Sequence, residues 1–510
     1  MESLQAKRDS LLGRSTEFER LCQYWINTLR GVGGVVCLTG EPGIGKTHLI
    51  EALATQAVTQ GAIALWGGAT DMAGMPPYLP FLQALGDYIR KAPLDMLHAH
   101  TLRTAPVLST LFPELALRQG DAGHNYTVPP EQGKLRLYEA ISALLQSIAL
   151  TQPLLLILDD LHWAEPATLD LLCHIAQTMT HNPMRMLVLG SYQPHQAQSN
   201  PALQRALAEL HRLRIFNTID LGPLSRTTVA ALAEATLGGP GAPQLTHQLF
   251  TRSGGNPFFA AELLRAWQES GTLTQIDGYW QLTDPAAQAL PASIANTIRQ
   301  RLSYQSAQTL DLLQTAAIVG RSFETALLAS VIHRPIEEIE EDLDAATRAW
   351  LIQEGEPSSY AFRHDSMREC LYADVSTSRR RRLHLLIGEA LKTRGNAAFS
   401  DLAAHFVRGG DRARGAQYSQ QAAVRAVLMY GFEEAIQHYQ TELDLIDSSA
   451  PSRGELLIGL GEALMLVGQE RTAIATFGAA RAWYRQRGDS QAAAHAAHRL
   501  GQALWRTGRF

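Results

Sequence analysis

Cysteine is scarce in this 510-residue chain: Cys22, Cys37, Cys173 and Cys370 lie far apart with no CxxC pair. Neither a structural zinc site nor a disulfide framework is expected, and a reducing compartment is the natural one. Long apolar runs are also missing. Nothing approaches the ~20 residues needed to cross a bilayer, and Met1-Glu2-Ser3-Leu4-Gln5 lacks the basic and apolar stretches of a signal peptide. A soluble, cytoplasmic protein without a membrane partner is predicted. Charge of one sign is lacking too: Lys+Arg number 44 against Asp+Glu 49, a net charge of -5, so no global attraction draws the chain to nucleic acid or anionic lipid. What is abundant is apolar material, 46% of residues at a mean hydropathy of -0.09, enough for several packed cores. The length suits roughly three domains.

Apolar, β-prone runs at residues 35–39, 62–66, 154–158, 186–190 and 215–221 alternate with helical patterns, which predicts a parallel five-stranded sheet covered by helices on both faces. The long segment 71–147, with Met75-Pro76-Pro77 and Val128-Pro129-Pro130, reads as a helical insertion plus lid. After Gly222-Pro223 strands nearly vanish and helical spacing takes over at residues 226–237, 244–252 and 257–270. Residues 293–302, 307–319, 323–332 and 336–346 read as further helices, and 351–355 with 359–363 as a hairpin, the makings of a winged helix. From Arg379 the chain is helical and Ala-rich. Leu460-Gly461-Glu462-Ala463-Leu464 matches Leu500-Gly501-Gln502-Ala503-Leu504 at an offset of 40, and Gly468, Ala473, Phe477 and Ala480 fit the small and large positions of a tetratricopeptide repeat, with Ala435 and Tyr439 marking an earlier copy. Phe510 falls just past Gly508, the counterpart of Gly468, so a longer protein is expected. The predicted fold class is multidomain α/β plus α: a P-loop sheet domain at residues 10–222, a helical domain at 223–290, a winged helix at 291–375 and a repeat solenoid at 379–510.

Gly40-Glu41-Pro42-Gly43-Ile44-Gly45-Lys46-Thr47 satisfies GxxxxGK[ST] between an apolar run and a helical one, the context this motif requires. Glycines let backbone N–H groups converge on phosphates at a helix N-terminus, Lys46 neutralises the β and γ phosphates, and the Thr47 hydroxyl binds Mg²⁺. Leu154-Leu155-Leu156-Ile157-Leu158-Asp159-Asp160 then ends a strand in two carboxylates. Asp159 is expected to hold Mg²⁺ through water, with Asp160 beside it orienting or deprotonating the attacking water, unless Asp160 only caps the following helix. Ser191 or Gln193, after the fourth strand, could sense the nucleotide. By spacing alone, Gly254-Gly255-Asn256-Pro257 reads as a plain helix start with Pro near N1, and His364 as a surface or core histidine. His162-Trp163 has no ligand partner nearby and Trp163 reads as packing. Arg379-Arg380-Arg381-Arg382 reads as a solvated helix face, balanced by Glu337-Glu338 and Glu340-Glu341-Asp342, rather than a DNA contact.

Taken together these residues resemble the AAA-type branch of the STAND class of signalling ATPases, as found in large ATP-binding LuxR-type regulators, over nearly the whole chain. Leu12-Gly13-Arg14 with Glu17 resembles the N-terminal box near the adenine, residues 40–47 with His48 the Walker A loop, and Leu158-Asp159-Asp160-Leu161-His162-Trp163-Ala164 the Walker B string. Gly255-Asn256-Pro257 resembles the GxP motif whose proline packs on the base, and His364-Asp365 the winged-helix motif whose histidine contacts the ADP β-phosphate. The resemblance implies ATP or ADP with Mg²⁺ as ligands and a closed, ADP-held state that opens on exchange. It implies an activating ligand or protein at the repeats, self-assembly on activation, and DNA contact only through a domain beyond residue 510. Gln193 stands where the family often carries an arginine sensor, which points to slow, regulatory hydrolysis. A constitutive ATPase motor and an ATP-dependent transcription regulator are the rival readings.

Overall fold

The computed structural model describes residues 11–70, 75–101, 104–119, 130–282, 298–299, 302, 304–355, 358–395 and 397–507. Its centre is a parallel sheet of β1 (Gly34–Thr39), β2 (Ile63–Gly68), β3 (Leu154–Asp159), β4 (Met186–Tyr192) and β5 (Phe216–Asp220), in the order β2-β3-β4-β1-β5. All of β3 and β4 is buried, as continuous runs of Leu, Ile and Val require when helices cover both faces. The register sets Thr39 of β1 beside Tyr192 of β4, and Leu158 of β3 beside Gly190 of β4. The residues that follow these strands therefore emerge along one edge, where ligands bind in sheets of this kind.

The insertion after β2 is helical, with Leu79–Lys91, Leu94–Thr101, Ala105–Leu108, Pro113–Gln119 and Pro130–Thr151. It packs on the sheet, and Phe81, Leu85, Leu137, Ile141 and Leu144 join one core with β3 and β4. None of the described residues of the expected insertion and lid, 75–101, 104–119 and 130–147, lines the large cavity at the strand ends. The segment instead faces the C-terminal helices. Arg425 Nη2 donates to Thr110 O at 3.1 Å and Pro77 abuts Gly431, while beyond the insertion Ala167 N, on the helix after β3, donates to Glu434 Oε1 at 3.4 Å. Asp71, Val128 and Pro129 lie outside the described residues.

Helices Arg226–Leu237, Pro243–Ser253 and Pro257–Glu269 share a second core built around Leu249, Leu263 and Trp267. A hairpin absent from the sequence reading follows them, β6 (Leu273–Ile276) with β7 (Tyr279–Leu282). Its signal was Asp277-Gly278, both at positive φ (53° and 81°), the dipeptide that two-residue hairpin turns favour. Helices Ala307–Val319, Thr325–Ile332 and Ile336–Arg348 then pack with a three-stranded antiparallel sheet ordered β8-β10-β9, of β8 (Ser322–Glu324), β9 (Ile352–Glu354) and β10 (Ser359–Phe362). The expected helix at 323–332 starts only at Thr325, because Phe323 pairs with Tyr360 across the sheet. The helix expected at 293–302 and the boundary at 290 fall mostly outside the described residues.

From Thr377 the chain is all helix, and consecutive helices Arg412–Leu428, Phe432–Leu445, Arg453–Leu466, Glu470–Gln486 and Ser490–Arg506 stack as tetratricopeptide-like repeats. A Cβ on Gly461 would stand 2.5 Å from the Phe477 ring, so the small residue of the pattern is what lets the two helices close. Gly508 and Phe510 lie outside the described residues. Arg379 is bound to Gln314 and Asp311, and Arg380 lies over the Tyr372 ring, so these two members of the arginine run serve packing between helices. Among the described residues all four cysteines are buried, no helix is long and apolar enough to cross a membrane, and no group of three metal-ligating side chains occurs.

Candidate functional site

The loop after β1 turns through left-handed backbone at Gly43 (φ 74°) and Gly45 (φ 105°), a conformation only glycine adopts without strain. Helix Lys46–Thr59 starts at once, its first N–H groups directed back toward the loop. Lys46 Nζ donates to Gly40 O at 2.8 Å and to Glu41 O at 3.1 Å. Burial lowers its pKa, opposed by the carboxylates of Asp160 and Asp159. A desolvated cation at a helix N-terminus is an anion receptor.

Asp159, last residue of β3, is held from two sides. Its Oδ1 accepts from Ser191 Oγ of β4 and from Asp160 N (3.2 Å), while Oδ2 accepts from Thr47 Oγ1 at 3.4 Å. A hydroxyl and a carboxylate at that separation are the hard oxygen donors a Mg²⁺ ion takes, with waters and phosphate completing its shell. Ser191 is fully buried beneath Asp159 and also accepts from Asp160 N at 2.9 Å, so it braces the strand end rather than facing a ligand.

Asp160 has a left-handed backbone (φ 56°), uncommon for a residue with a side chain and typical of functional turns. Its side chain makes no cap bond to the following turn Leu161–Trp163. Oδ2 instead accepts from Arg321 Nη1 at 2.8 Å. Burial, then the neighbouring Asp159 charge, pushes its carboxyl up to about 7, with Arg321 opposing. Beside it His162 is fully enclosed, its Nδ1 3.9 Å from Asp160 Oδ1, and burial together with Lys46 and Arg321 pushes the ring down to about 3.

Two distant segments close the site. Asn256 caps helix Pro257–Glu269 by accepting from Phe259 N, and its Nδ2 donates to Pro42 O at 2.9 Å. Phe258 N donates to Gly43 O at 3.3 Å, and a Cβ on Gly43 would meet Phe258 at 2.8 Å. The plain helix start is thus also a strut on the loop. His364 follows β10 and packs against Phe258 with ring centroids 3.7 Å apart and the planes tilted by 41°; burial, then Arg321, Arg265 and Arg363, pushes its pKa down to about 3, leaving it neutral.

These parts border one cavity of about 440 Å³, a size typical of small-ligand sites. Arg14, Pro42, Gly43, Ile44, Gly45, Lys46, Thr47 and His48 line it together with Asp160, Gln193, Pro257 and His364. Gly13 and Gly40 stand behind the wall. Gly13 turns at φ 70° against Thr228, and Gly40 offers its carbonyl to Lys46. Arg14 directs its guanidinium to Ile44 O (3.0 Å) and Gly222 O (2.6 Å), with Glu17 at 3.1 Å. Sequence reading missed Asn256, Phe258 and Arg321 as site residues. It also missed Trp350, whose ring carries Arg265 and Arg363 at 4.5 and 4.0 Å.

Residues 10–189 match the AAA ATPase domain family. Over 95% of its length the chain superposes on the crystal structure of a STAND protein with a tetratricopeptide repeat sensor from Pyrococcus horikoshii, at 14% identity and a TM-score of 0.51, covering 64% of that chain. An uncharacterized protein of Rhizobium meliloti is 22% identical over 417 residues, 78% of this chain, which spans only 39% of that relative's own length. Residues 10–189 are thus similar to an AAA ATPase domain, and the chain as a whole shares the fold of the Pyrococcus horikoshii structure.

Proposed function

We propose that the chain is a nucleotide-operated signalling switch. ADP, held in the cavity, clamps the P-loop domain to the helical unit and to the winged-helix-like unit that follows it, and exchange for ATP opens the clamp. The observation that carries this reading is that Lys46, Pro257 and His364, remote in the chain, border a single cavity. Lys46 and the loop N–H groups hold the phosphates. Thr47 and Asp159 would hold Mg²⁺, which when bound neutralises phosphate charge. Asp160 serves as base for the attacking water. Pro257 and Phe258 pack beside the base or ribose, Arg14 fixes the loop behind, and Gln193 faces the γ position. His364, kept neutral by its surroundings, donates one hydrogen bond to the β-phosphate.

An activating ligand or protein at the repeats must bind the open state better than the closed one, because only differential affinity shifts such an equilibrium. The contacts of Arg425 and Glu434 with the sheet domain are what it would release. Opening then frees surfaces for self-assembly. Hydrolysis is slow and resets the switch. Purified chain should carry tightly bound ADP, exchange it slowly and turn over ATP far below one cycle per second. Several turnovers per second without any partner would refute the switch in favour of a motor.

A further inference from the structure

Arg321 follows the Ala307–Val319 helix and belongs to the winged-helix-like unit by its backbone. Its carbonyl accepts from Phe362 N at 3.0 Å, which ties it to the strand leading into His364. Its side chain reaches the other way. Nη1 donates to Asp160 Oδ2 at 2.8 Å across 161 residues of chain, and Nε stands 3.6 Å from Asp365 Oδ1. One residue thus touches the strand of the clamp histidine, the residue after that histidine and the second Walker B carboxylate.

We propose that Arg321 is a brake on ATP hydrolysis, a positioning residue that occupies Asp160 while the winged-helix-like unit is docked and releases it on opening. The proposal rests on the reading of Asp160 as the base. In that step the water oxygen bonds to the γ-phosphorus, the bond to the β–γ bridging oxygen breaks with its electron pair staying on ADP, and the water proton passes to Asp160. A carboxylate oxygen already engaged by a guanidinium is a poorer acceptor for that proton, since the charge-assisted bond occupies its lone pair and stabilises the ionised form. Docking therefore closes the clamp and withholds the base through one contact. Hydrolysis is confined to molecules that have opened, which gives the activated state its lifetime.

The test compares ATP turnover and ATP affinity in Arg321→Ala and in the closer-fitting Arg321→Gln, each also in the Asp160→Asn background, on the full chain. If the brake is real, both single variants hydrolyse ATP about tenfold faster at unchanged affinity. In the Asp160→Asn background the gain disappears. A slower rate at unchanged affinity would overturn the proposal, placing Arg321 on the phosphoryl group instead. So would an equal gain in the Asp160→Asn background. Failure of the underlying reading looks different: Asp160→Asn alone would leave turnover untouched, or ATP would not bind at all.

Discussion

Asn256 and Pro42 are 214 residues apart and share a 2.9 Å hydrogen bond, the asparagine amide donating to the proline carbonyl of the glycine-rich loop after β1. The same side chain accepts from Phe259 N with its other end, so a helix cap and a loop strut are one residue. Loop geometry is thereby coupled to the placement of the helical unit.

The two ends of Asn256 can be separated. Asn256→Asp keeps the cap acceptor, the better one at a helix N-terminus, and loses the donor to Pro42 O. It should leave urea stability within about 0.5 kcal/mol of wild type while weakening ADP binding. Asn256→Ala removes both and should cost about 1 kcal/mol of stability as well. Equal ADP affinity in all three proteins would show that the strut is idle.

The glycine-rich loop, the five strands and the two acids at the end of β3 were legible because each is a local pattern: a glycine spacing, an apolar run, an acid at a strand end. The role of Arg321 was not, since nothing in Gly320-Arg321 beyond a helix break foretells a partner at Asp160. The docking of the insertion was not legible, because Pro-rich helical segments say nothing of which way they pack. Only the tertiary contacts of Pro77 and Thr110 with the repeats show that this insertion faces the C-terminal helices. Phe258, read as part of a plain helix start, is a site wall because Gly43 leaves room for it.

Lys46→Ala removes the buried cation of the loop. Truncating one partner of a buried, hydrogen-bonded charge pair costs about 2 kcal/mol or more, so a fluorescent ATP analogue should bind at least about 30-fold more weakly. Thermal unfolding without nucleotide should show a loss of about 1 kcal/mol, because the buried Gly40 carbonyl loses its donor. Undiminished affinity would remove the phosphates from this loop.

His364→Ala deletes the ring that packs against Phe258 at the cavity wall. Loss of one hydrogen bond to a charged phosphate is worth about 1.5 kcal/mol or more, so ADP should dissociate at least about tenfold faster in stopped flow, with self-assembly by light scattering setting in at lower ATP. His364→Gln, which keeps a donor, should recover part of the effect. Exchange unchanged in both variants would return His364 to a packing role.

Glu434 sets the pH response of the contact between the repeats and the sheet domain. It is buried, its Oε1 accepts from Ala167 N, and its Oε2 has no hydrogen-bond partner among the described residues. Burial, then the nearby Glu165 carboxylate, pushes Glu434 up to about 8, and burial pushes Glu165 up to about 7, with Glu433 adding a like charge to the first. For an acid whose pKa is raised by docking, the docked state binds more protons than the undocked one. Docking is therefore unpenalised near pH 4.5 and weakens as pH rises through the usual glutamate range toward 8. Each such group contributes a slope of up to about 1.4 kcal/mol per pH unit across that window. Hydrogen exchange in the helix Phe432–Leu445 should accelerate between pH 6 and 8 beyond the intrinsic chemical rate. Glu434→Gln, which keeps an acceptor for Ala167 N without the charge, should lower that slope and protect the helix at pH 8. A contact that tightens as pH rises, or a Glu434→Gln protein that exchanges faster than wild type at pH 8, would mean that the carboxylate holds the repeats in place as an ion rather than as an acid.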